Sequence, residues 1–365
     1  MSDTIEVKHS SSGTYQVVIR DDYTDLGQII AGLFPNLKRI CIISDSNVSK
    51  HYMNEVKDAV RDVCEVLIDH TFTAGEKSKN LDTVRACYDT LLENDFNRRD
   101  LIIALGGGVC GDVAAFIAST YMRGCRFVNL PTSLLAMADS SVGGKCGVDL
   151  DSYKNIVGSI YMPSLVYAAV GTLKTLPDRE FSCGMSEILK AGLIRNSIFY
   201  EWLITNFSEI MARDNETVTQ MLYDAVSIKQ YYVAKDPYEQ NERMILNFGH
   251  TMGHALEKYY DFKYNHGECV ALGSVAAAYI SFKRGMLSNE EFYEIRDMFV
   301  PFDLPISLDP FDTDKVISYI EHDKKNTDSG LKFILLKKIG KAVIVNDVTK
   351  EEITDALKSL QVEWD

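Results

Sequence analysis

The sequence lacks several features that would direct a protein to nucleic acid, to a membrane or out of the cell. Lys and Arg total 38 against 52 Asp and Glu, so the net charge is −14 and a general basic surface for nucleic acid or an anionic membrane is not expected. The first ten residues contain no basic segment followed by an apolar stretch, so no secretory signal is predicted. The most apolar run, Val270–Phe282, contains Gly273 and Ser274 and is shorter than the ~20 residues that a bilayer requires. We therefore expect a cytoplasmic protein that binds neither nucleic acid nor membrane.

The eight cysteines form no CxxC pair and are dispersed along 365 residues. Scattered thiols in a long chain are typical of a reducing compartment, so unpaired and mostly buried cysteines are expected. With 46% hydrophobic and 25% charged residues, the composition is that of a globular enzyme. This length predicts two or three domains.

The first half of the chain alternates short β-rich runs with amphipathic segments. Strands are predicted at 14–20, 39–44, 64–68, 101–105 and 126–130, with helices at 48–61, 80–93 and 112–119. This alternation predicts a parallel, Rossmann-like sheet that is covered on both faces. Such sheets bind ligands at the carboxyl ends of their strands.

The pattern changes near residue 176, where we place a domain boundary. Helices are predicted at 181–207, 218–234, 251–260 and 268–284, followed by a hairpin of strands 331–338 and 342–346. The prediction is therefore an α/β domain over 1–176 and a mainly α-helical domain over 177–365. If the first domain binds the cofactor and the second binds the substrate, the active site would lie in a cleft.

A glycine-rich turn follows the apolar strand 101–105. Gly106, Gly107 and Gly108 allow close approach of an anion, and a helix beginning at Gly111 would offer its N–H groups to a phosphate. No acidic residue ends the next strand, so this is not the full GxGxxG fingerprint. Pyrophosphate binding is the favoured interpretation, and a turn required only for tight packing is the alternative.

A second polar segment spans 131–150 and continues to Lys154. Its Gly143-Gly144-Lys145 resembles a P-loop, but Cys146 stands where Ser or Thr is needed, so a nucleoside triphosphatase is excluded. Two lysines in a glycine-containing loop are compatible with an anion site or with a solvated loop.

Three of the seven histidines lie close together in the sequence. His250 and His254 are one helical turn apart on one face, and His266 begins the next helix. Glu187 lies among apolar residues of an earlier helix. Two imidazoles and a carboxylate form a common catalytic zinc set, and they also suit iron(II). The alternative is a pair in which one histidine, or neither, binds a metal.

Several segments occur in the order found in 3-dehydroquinate synthases, and the chain resembles that family from about Asp45 to Gly340. They are GGGVCGD (106–112), YMRG (121–124), PTSLLA (131–136), DSSVGGK (139–145), YKNIVG (153–158), TLKTLPDRE (172–180), GMSEILK (184–190), RMILNFGHTMGHALE (243–257), NHGECVALG (265–273) and DKKN (323–326). The resemblance implies conversion of 3-deoxy-D-arabino-heptulosonate 7-phosphate to 3-dehydroquinate and phosphate in the shikimate pathway. It also implies bound NAD and a divalent metal. Zinc is the favoured ion, and cobalt or another divalent metal is the alternative.

The resemblance implies a role for each matched residue. Glu187, His250 and His266 would bind the metal, and His254 would be a catalytic, substrate-contacting residue. The positions that match NAD-contacting segments are Asp45, Asn47, Glu76, Lys79, Gly107, Gly108, Asp112, Thr132, Ser133, Lys145, Lys154 and Thr172 to Thr175.

Further matched residues would contact the substrate. Lys145, Asn155, Asn247 and His254 match the pocket for the phosphate end, while Asp139, Lys190, Lys229 and Arg243 match positions that bind the hydroxyls and the carboxylate. Arg123 matches an arginine that the neighbouring subunit supplies, which implies a homodimer. Lys324 or Lys325 matches an active-site lysine near the C-terminus.

Three other functions remain as alternatives. A cyclase that makes 2-deoxy-scyllo-inosose or a valiolone would share the cofactors, but its substrate lacks a carboxylate. An iron- or zinc-dependent polyol dehydrogenase would accumulate NADH. A non-catalytic, metal-stabilised protein of the same fold would have no turnover. The sequence departs from the family at Cys146, Ser133, Ala191 and Gly171, and none of these changes removes a charged or ligating group.

Overall fold

The computed structural model describes residues 4–8, 13–151, 153–261, 263–325 and 332–362, with only the backbone of residues 322–325. The strands are β1 (Thr4–Lys8), β2 (Thr14–Arg20), β3 (Arg39–Asp45), β4 (Val66–Phe72), β5 (Leu101–Gly106), β6 (Arg126–Pro131), β7 (Lys145–Leu150), β8 (Tyr153–Ile160), β9 (Leu165–Ala169), β10 (Phe333–Lys338) and β11 (Lys341–Val345). The helices are α1 (Leu26–Leu33), α2 (Val48–Val60), α3 (Leu81–Glu93), α4 (Gly108–Thr120), α5 (Asp178–Arg195), α6 (Ser197–Thr205), α7 (Phe207–Met211), α8 (Asn215–Lys235), α9 (His250–Tyr259), α10 (His266–Lys283), α11 (Asn289–Asp297), α12 (Thr313–Lys325) and α13 (Lys350–Lys358).

The chain folds into two compact units. Unit 1 comprises residues 1–176 together with 218–238, and unit 2 comprises 177–217 together with 239–365. Most of α8 therefore packs with the α/β unit, although the sequence pattern assigned it to the helical half. The reason is apolar contact, since Val226 and Val233 of α8 pack with Val7, Val17 and Val166 of the sheet.

Unit 1 is built on a sheet whose strands, among the described residues, follow the order β1-β2-β9-β6-β5-β3-β4. All neighbouring strands are parallel except β1 and β2. Successive residues of β5 face opposite sides, so Ile102 packs in the core formed with α3 and α4, while Ile103 packs in the core formed with α1 and α2. Helices thus cover both faces, which confirms the predicted fold class.

Two local predictions in unit 1 and unit 2 were wrong. The segment expected to be a polar loop forms a short π-helix over Ala136–Ser140 and the antiparallel hairpin β7–β8. The single helix expected over 181–207 is interrupted at Asn196, whose side chain accepts a hydrogen bond from the Phe199 amide at 3.2 Å. Asn196 therefore caps the start of α6 instead of continuing α5.

The long helix α10 is the centre of unit 2. Its residues from Cys269 to Ala278 are almost completely buried, and it packs against α5, α9 and β10. A helix that is apolar on all sides is buried in a protein core. Within the described residues, no helix combines the length and apolar character needed to cross a membrane.

Candidate active site

The predicted histidine cluster forms within unit 2. One ring nitrogen from each of His250, His254 and His266 lies within 4.8 Å of the others. The ring centroids of His250 and His266 are 5.4 Å apart, and those of His250 and His254 are 5.2 Å apart. His254 is exposed, whereas the other two rings are partly covered. The three imidazoles are therefore near enough to surround one ion.

Glu187 on α5 faces two of these rings. Its Oε1 lies 3.4 Å from Nε2 of His250 and 3.6 Å from Nε2 of His266. Glu187 is 4% exposed, and no described donor makes a hydrogen bond to Oε1. A buried carboxylate oxygen that faces two imidazole nitrogens is a donor set suited to a divalent cation. The residues present therefore fit a metal.

A close helix contact determines where His266 lies. Asn265 and Glu268 form a capping box at the start of α10, which makes His266 the first helical residue. At Gly267, a Cβ atom would lie 2.2 Å from the carbonyl oxygen of Cys183 on α5. Only glycine permits this approach, so α10 begins directly beside the helix that carries Glu187.

The start of α9 depends on a second glycine. Gly249 has φ +79° at the N-cap, a left-handed conformation that glycine adopts readily. A Cβ atom there would lie 2.7 Å from the backbone nitrogen of Ser274 on α10. His250 is the next residue, so this contact places its ring close to α10 as well.

The electrostatic surroundings separate the protonation states of these groups. Burial opposes ionisation of Glu187, but Lys190 and the two imidazoles hold its pKa well below the usual range. Burial and Lys190 lower the pKa of His250 to about 3. Although burial opposes the charge, the nearby carboxylates of Glu187 and Glu257 raise the pKa of His266 to about 9. At neutral pH, His250 is ready to bind a cation and His266 is protonated.

The other predicted residues of unit 2 lie in or near the elements that carry this cluster. Lys190 is 3% exposed and contacts Oε2 of Glu187. Arg243 is buried, and Asn247 donates a hydrogen bond of 2.6 Å to Oε1 of Glu239. The side chains of Lys324 and Lys325 lie outside the described residues.

The glycine-rich turn in unit 1 differs slightly from the prediction. α4 begins at Gly108 rather than at Gly111, and Gly107 is its N-cap. A Cβ atom at Gly106 would lie 2.5 Å from Cβ of Cys110, so that position requires glycine for packing. The N–H groups of the first turn are available near Gly107, as an anion site requires.

Other predicted cofactor residues lie at the carboxyl ends of the strands. Asp45 ends β3, and its Oδ1 accepts hydrogen bonds from the amides of Asn47 at 2.8 Å and Val48 at 3.1 Å. Thr132 and Ser133 directly follow β6. These positions fit the predicted ligand-binding edge of a parallel sheet.

Two further groups of predicted cofactor residues lie in short 3₁₀ segments and in the hairpin. The hydroxyl of Tyr52 lies 2.6 Å from Oγ1 of Thr175 and donates to the carbonyl of Thr172 at 3.1 Å. Glu76 is exposed in a 3₁₀ turn, and Lys154 is exposed on β8.

A buried lysine, Lys79, connects two other predicted residues of unit 1. Lys79 Nζ lies 2.6 Å from Oδ2 of Asp112 and donates a hydrogen bond of 2.5 Å to Oδ1 of Asn155. Burial disfavours the charged amine, but the Asp112 carboxylate outweighs it and raises the pKa of Lys79. Asn155 has φ +54°, and its amide donates to Oδ1 of Asp149 at 2.8 Å.

The substrate residues predicted in unit 1 also lie close together. Lys229 on α8 donates to the backbone oxygen of Asp139 at 2.5 Å and to its Oδ1 at 2.6 Å. Lys145 is exposed and lines a small cavity that also reaches Gly107 and Asp112. Arg123 is exposed in a turn at φ +64°.

Sequence reasoning missed three buried polar residues. Asn129 and Ser141 line the cavity beside Lys145, and Oδ1 of Asn129 and Oγ of Ser141 have no described hydrogen-bond partner. A polar residue inside the apolar run 126–130 could have indicated Asn129. Glu257 lies beside His266, and its position three residues after His254 could have placed it on the same helix face.

Comparison with known proteins agrees with this geometry. Family models described as 3-dehydroquinate synthase N-terminal and 3-dehydroquinate synthase C-terminal match residues 69–183 and 184–326. The chain belongs to the 3-dehydroquinate synthase family. The 3-dehydroquinate synthase of Ruminiclostridium cellulolyticum is 38% identical over 356 residues, covering 96% of this chain and 98% of that protein.

The chain is also similar to the solved structures of two cyclases that are not 3-dehydroquinate synthases. The 2-epi-5-epi-valiolone synthase ValA from Streptomyces hygroscopicus subsp. jinggangensis 5008, with NAD⁺ and Zn²⁺ bound, has a TM-score of 0.88 at 27% identity, covering 97% of this chain and 98% of ValA. A 2-deoxy-scyllo-inosose synthase complexed with carbaglucose-6-phosphate, NAD⁺ and Co²⁺ has a TM-score of 0.87 at 26% identity, covering 98% of this chain and 99% of that protein.

Proposed function

We propose that this chain converts 3-deoxy-D-arabino-heptulosonate 7-phosphate to 3-dehydroquinate and phosphate. Its cofactors in this proposal are NAD⁺ and a divalent metal, for which zinc is the favoured candidate. Family membership supports the reaction. The observation that carries the metal dependence is the convergence of Glu187 Oε1 with Nε2 of His250 and His266. The two cyclase structures with NAD⁺ and Co²⁺ or Zn²⁺ support this cofactor pair.

In this proposal, Glu187, His250 and His266 hold the metal, and His254 contacts the substrate. A metal held there would supply a Lewis acid for a substrate hydroxyl, and bound NAD⁺ would supply reversible hydride transfer. Lys190 contacts Oε2 of Glu187, so its cation offsets the charge of that buried carboxylate.

The substrate carries a phosphate and a carboxylate, which require cationic and amide donors. We assign Lys145, Asn155 and Asn247 to the phosphate end, and Lys190, Lys229 and Arg243 with Asp139 to the carboxylate and hydroxyls. Arg243 is 3% exposed, so its guanidinium retains little contact with bulk water. A buried cation of this kind favours an anionic group over a neutral hydroxymethyl group.

The NAD site is assigned to unit 1. The N-cap Gly107 and first helical residue Gly108 would bind the pyrophosphate through backbone N–H groups. The remaining residues assigned to it are Asp45, Asn47, Glu76, Lys79, Asp112, Thr132, Ser133, Lys145, Lys154, Thr172 and Thr175.

Substrate discrimination tests the reaction. Purified protein supplied with NAD⁺ and zinc should release inorganic phosphate from the heptulosonate phosphate and form dehydroquinate, without net NADH. Sedoheptulose 7-phosphate and glucose 6-phosphate, which lack the carboxylate, are the comparison substrates. Phosphate release from either of them alone would identify the chain as another sugar-phosphate cyclase. Steady accumulation of NADH would identify a polyol dehydrogenase.

We further propose a homodimer in which Arg123 acts in the neighbouring subunit's site. Its exposed side chain supports this role. Mixing inactive Arg123→Ala and His266→Ala proteins under conditions of subunit exchange should restore activity, because one site in each mixed dimer keeps both groups. If Arg123 acts within its own subunit, the mixture stays inactive.

The cytoplasmic location stays a prediction.

A further inference from the structure

The two ring nitrogens of His250 have different neighbours. Nε2 lies 3.4 Å from Oε1 of Glu187, and Nδ1 lies 3.2 Å from the carbonyl oxygen of Phe248. A carbonyl oxygen can only accept a hydrogen bond, so the proton of the neutral ring belongs on Nδ1. The lone pair of Nε2 then points towards Glu187.

His266 has the same arrangement with a side chain in place of the backbone carbonyl. Its Nε2 lies 3.6 Å from Oε1 of Glu187, and its Nδ1 lies 3.6 Å from Oε2 of Glu257. The Glu257 side chain is only 11% exposed. Buried carboxylates are rare unless they are paired, so its position beside an imidazole is significant.

Helix α9, which carries His250, also carries Glu257. Glu257 follows His250 by seven residues and His254 by three, so all three lie on one face of α9. α9 thus supplies two rings of the cluster and also carries the carboxylate beside the ring that α10 supplies. The glycine contacts between these helices keep Glu257 within reach of His266.

We propose that Glu257 is a positioning residue for the metal site, whose carboxylate holds Nδ1 of His266 and so directs Nε2 towards Glu187. This inference rests on the proposed function, because it requires His266 to bind the metal. A carboxylate behind a ligating histidine fixes the ring's orientation and proton and strengthens it as a ligand. In this role Glu257 acts through His266 and is not itself a ligand.

Metal affinity measures this role without reference to turnover. Glu257→Met keeps the side-chain length and removes the acceptor, and we expect zinc affinity to fall about 10- to 100-fold in a chelator competition assay. Glu257→Gln keeps an acceptor oxygen and should lose less than about tenfold. Recovery by glutamine but not by methionine distinguishes hydrogen bonding from packing, because both residues fill a similar volume.

Two further measurements separate positioning from general destabilisation. The visible absorption of the cobalt-loaded protein should shift in Glu257→Met, since the orientation of one ligand changes. Glu209→Met makes the same substitution at an exposed position of α7 and should leave both the spectrum and the zinc affinity unchanged. Thermal unfolding of the metal-free variants shows whether each one is folded.

Zinc affinity within about twofold of the parent in a folded Glu257→Met protein, with an unchanged cobalt spectrum, would overturn the proposal. The metal site itself has a separate test in His266→Ala. If that variant keeps full zinc affinity, the ligand set of the proposed function is wrong. If it loses zinc while Glu257→Met does not, only the role of Glu257 is wrong.

Discussion

Lys79 donates a hydrogen bond of 2.5 Å to the side chain of Asn155. The same ammonium group lies 2.6 Å from Asp112 in the first turns of α4. One buried cation therefore joins the helix that follows the glycine-rich turn to the hairpin β7–β8. Asn155 has a left-handed backbone conformation, φ +54°, which this contact helps to stabilise.

Lys79→Met should destabilise unit 1. The substitution leaves the largely buried Asp112 carboxylate without its cation, and we expect a loss of about 2–4 kcal/mol in the free energy of unfolding measured in urea. The double variant Lys79→Met with Asp112→Asn removes both charges and should recover part of that loss. Equal destabilisation of the single and double variants would mean that the ion pair is not the cause.

Gly267→Ala should disturb the contact between α5 and α10. The new methyl group would lie 2.2 Å from the Cys183 carbonyl oxygen, so the helices must move apart. We expect a loss of about 1–3 kcal/mol in stability, together with weaker zinc binding. Gly32→Ala on α1 is the control, since a Cβ atom there would meet no other atom within 4 Å and the change should be neutral or stabilising. Tight zinc binding in Gly267→Ala would show that the ligand spacing tolerates this displacement.

Zinc binding should depend on pH through His266. The pKa of His266 is raised to about 9, so below that pH the metal must displace a proton from its imidazole. The apparent zinc association constant should therefore increase about tenfold for each unit between about pH 7 and 9. His250, whose pKa is lowered to about 3, contributes no such proton in this range. Calorimetry in buffers of different ionisation enthalpy counts the released protons. A pH-independent association constant would contradict the assignment.

Arg243→Ala should impair the reaction of the carboxylate-bearing substrate. The side chain is buried, and its removal leaves the substrate carboxylate unpaired, so we expect a loss of about 2–4 kcal/mol in transition-state binding. The measurement is kcat/KM for phosphate release from heptulosonate 7-phosphate. Arg243→Lys keeps the positive charge but lacks the planar guanidinium group, so its kcat/KM should fall less than that of Arg243→Ala. An unchanged kcat/KM in Arg243→Ala would show that Arg243 does not bind the substrate carboxylate.

Much of the fold was predictable because its apolar pattern is strong and local. The runs 14–20, 101–105 and 126–130 became β2, β5 and β6 with changes of at most one residue. The place of α8 was not predictable in this way, since its periodicity indicates an apolar face but not the partner of that face. The structure shows that partner, because sheet residues such as Val17 and Val166 pack with Val226 and Val233 of α8.

The candidate site was predictable to a different extent. His250 and His254 share a helix, so their spacing alone placed them together. Glu187 is 63 residues upstream of His250 (250 − 187). Its apolar neighbours made it a candidate ligand, and the family resemblance then implied that role. Glu257 was missed because a glutamate near the end of a helix ordinarily indicates a solvated face. The tertiary contact with His266 gives it a different environment.

The assignment of residues 218–238 to unit 1 has a consequence for dissecting the chain. The polypeptide passes between the units three times, after residues 176, 217 and 238, so no single cleavage point yields two intact folding units. A fragment that stops at residue 176 would expose Val17 and Val166 to water and lose the Lys229 contact with Asp139. Chimeras with related enzymes should therefore exchange this helix together with the sheet that it covers.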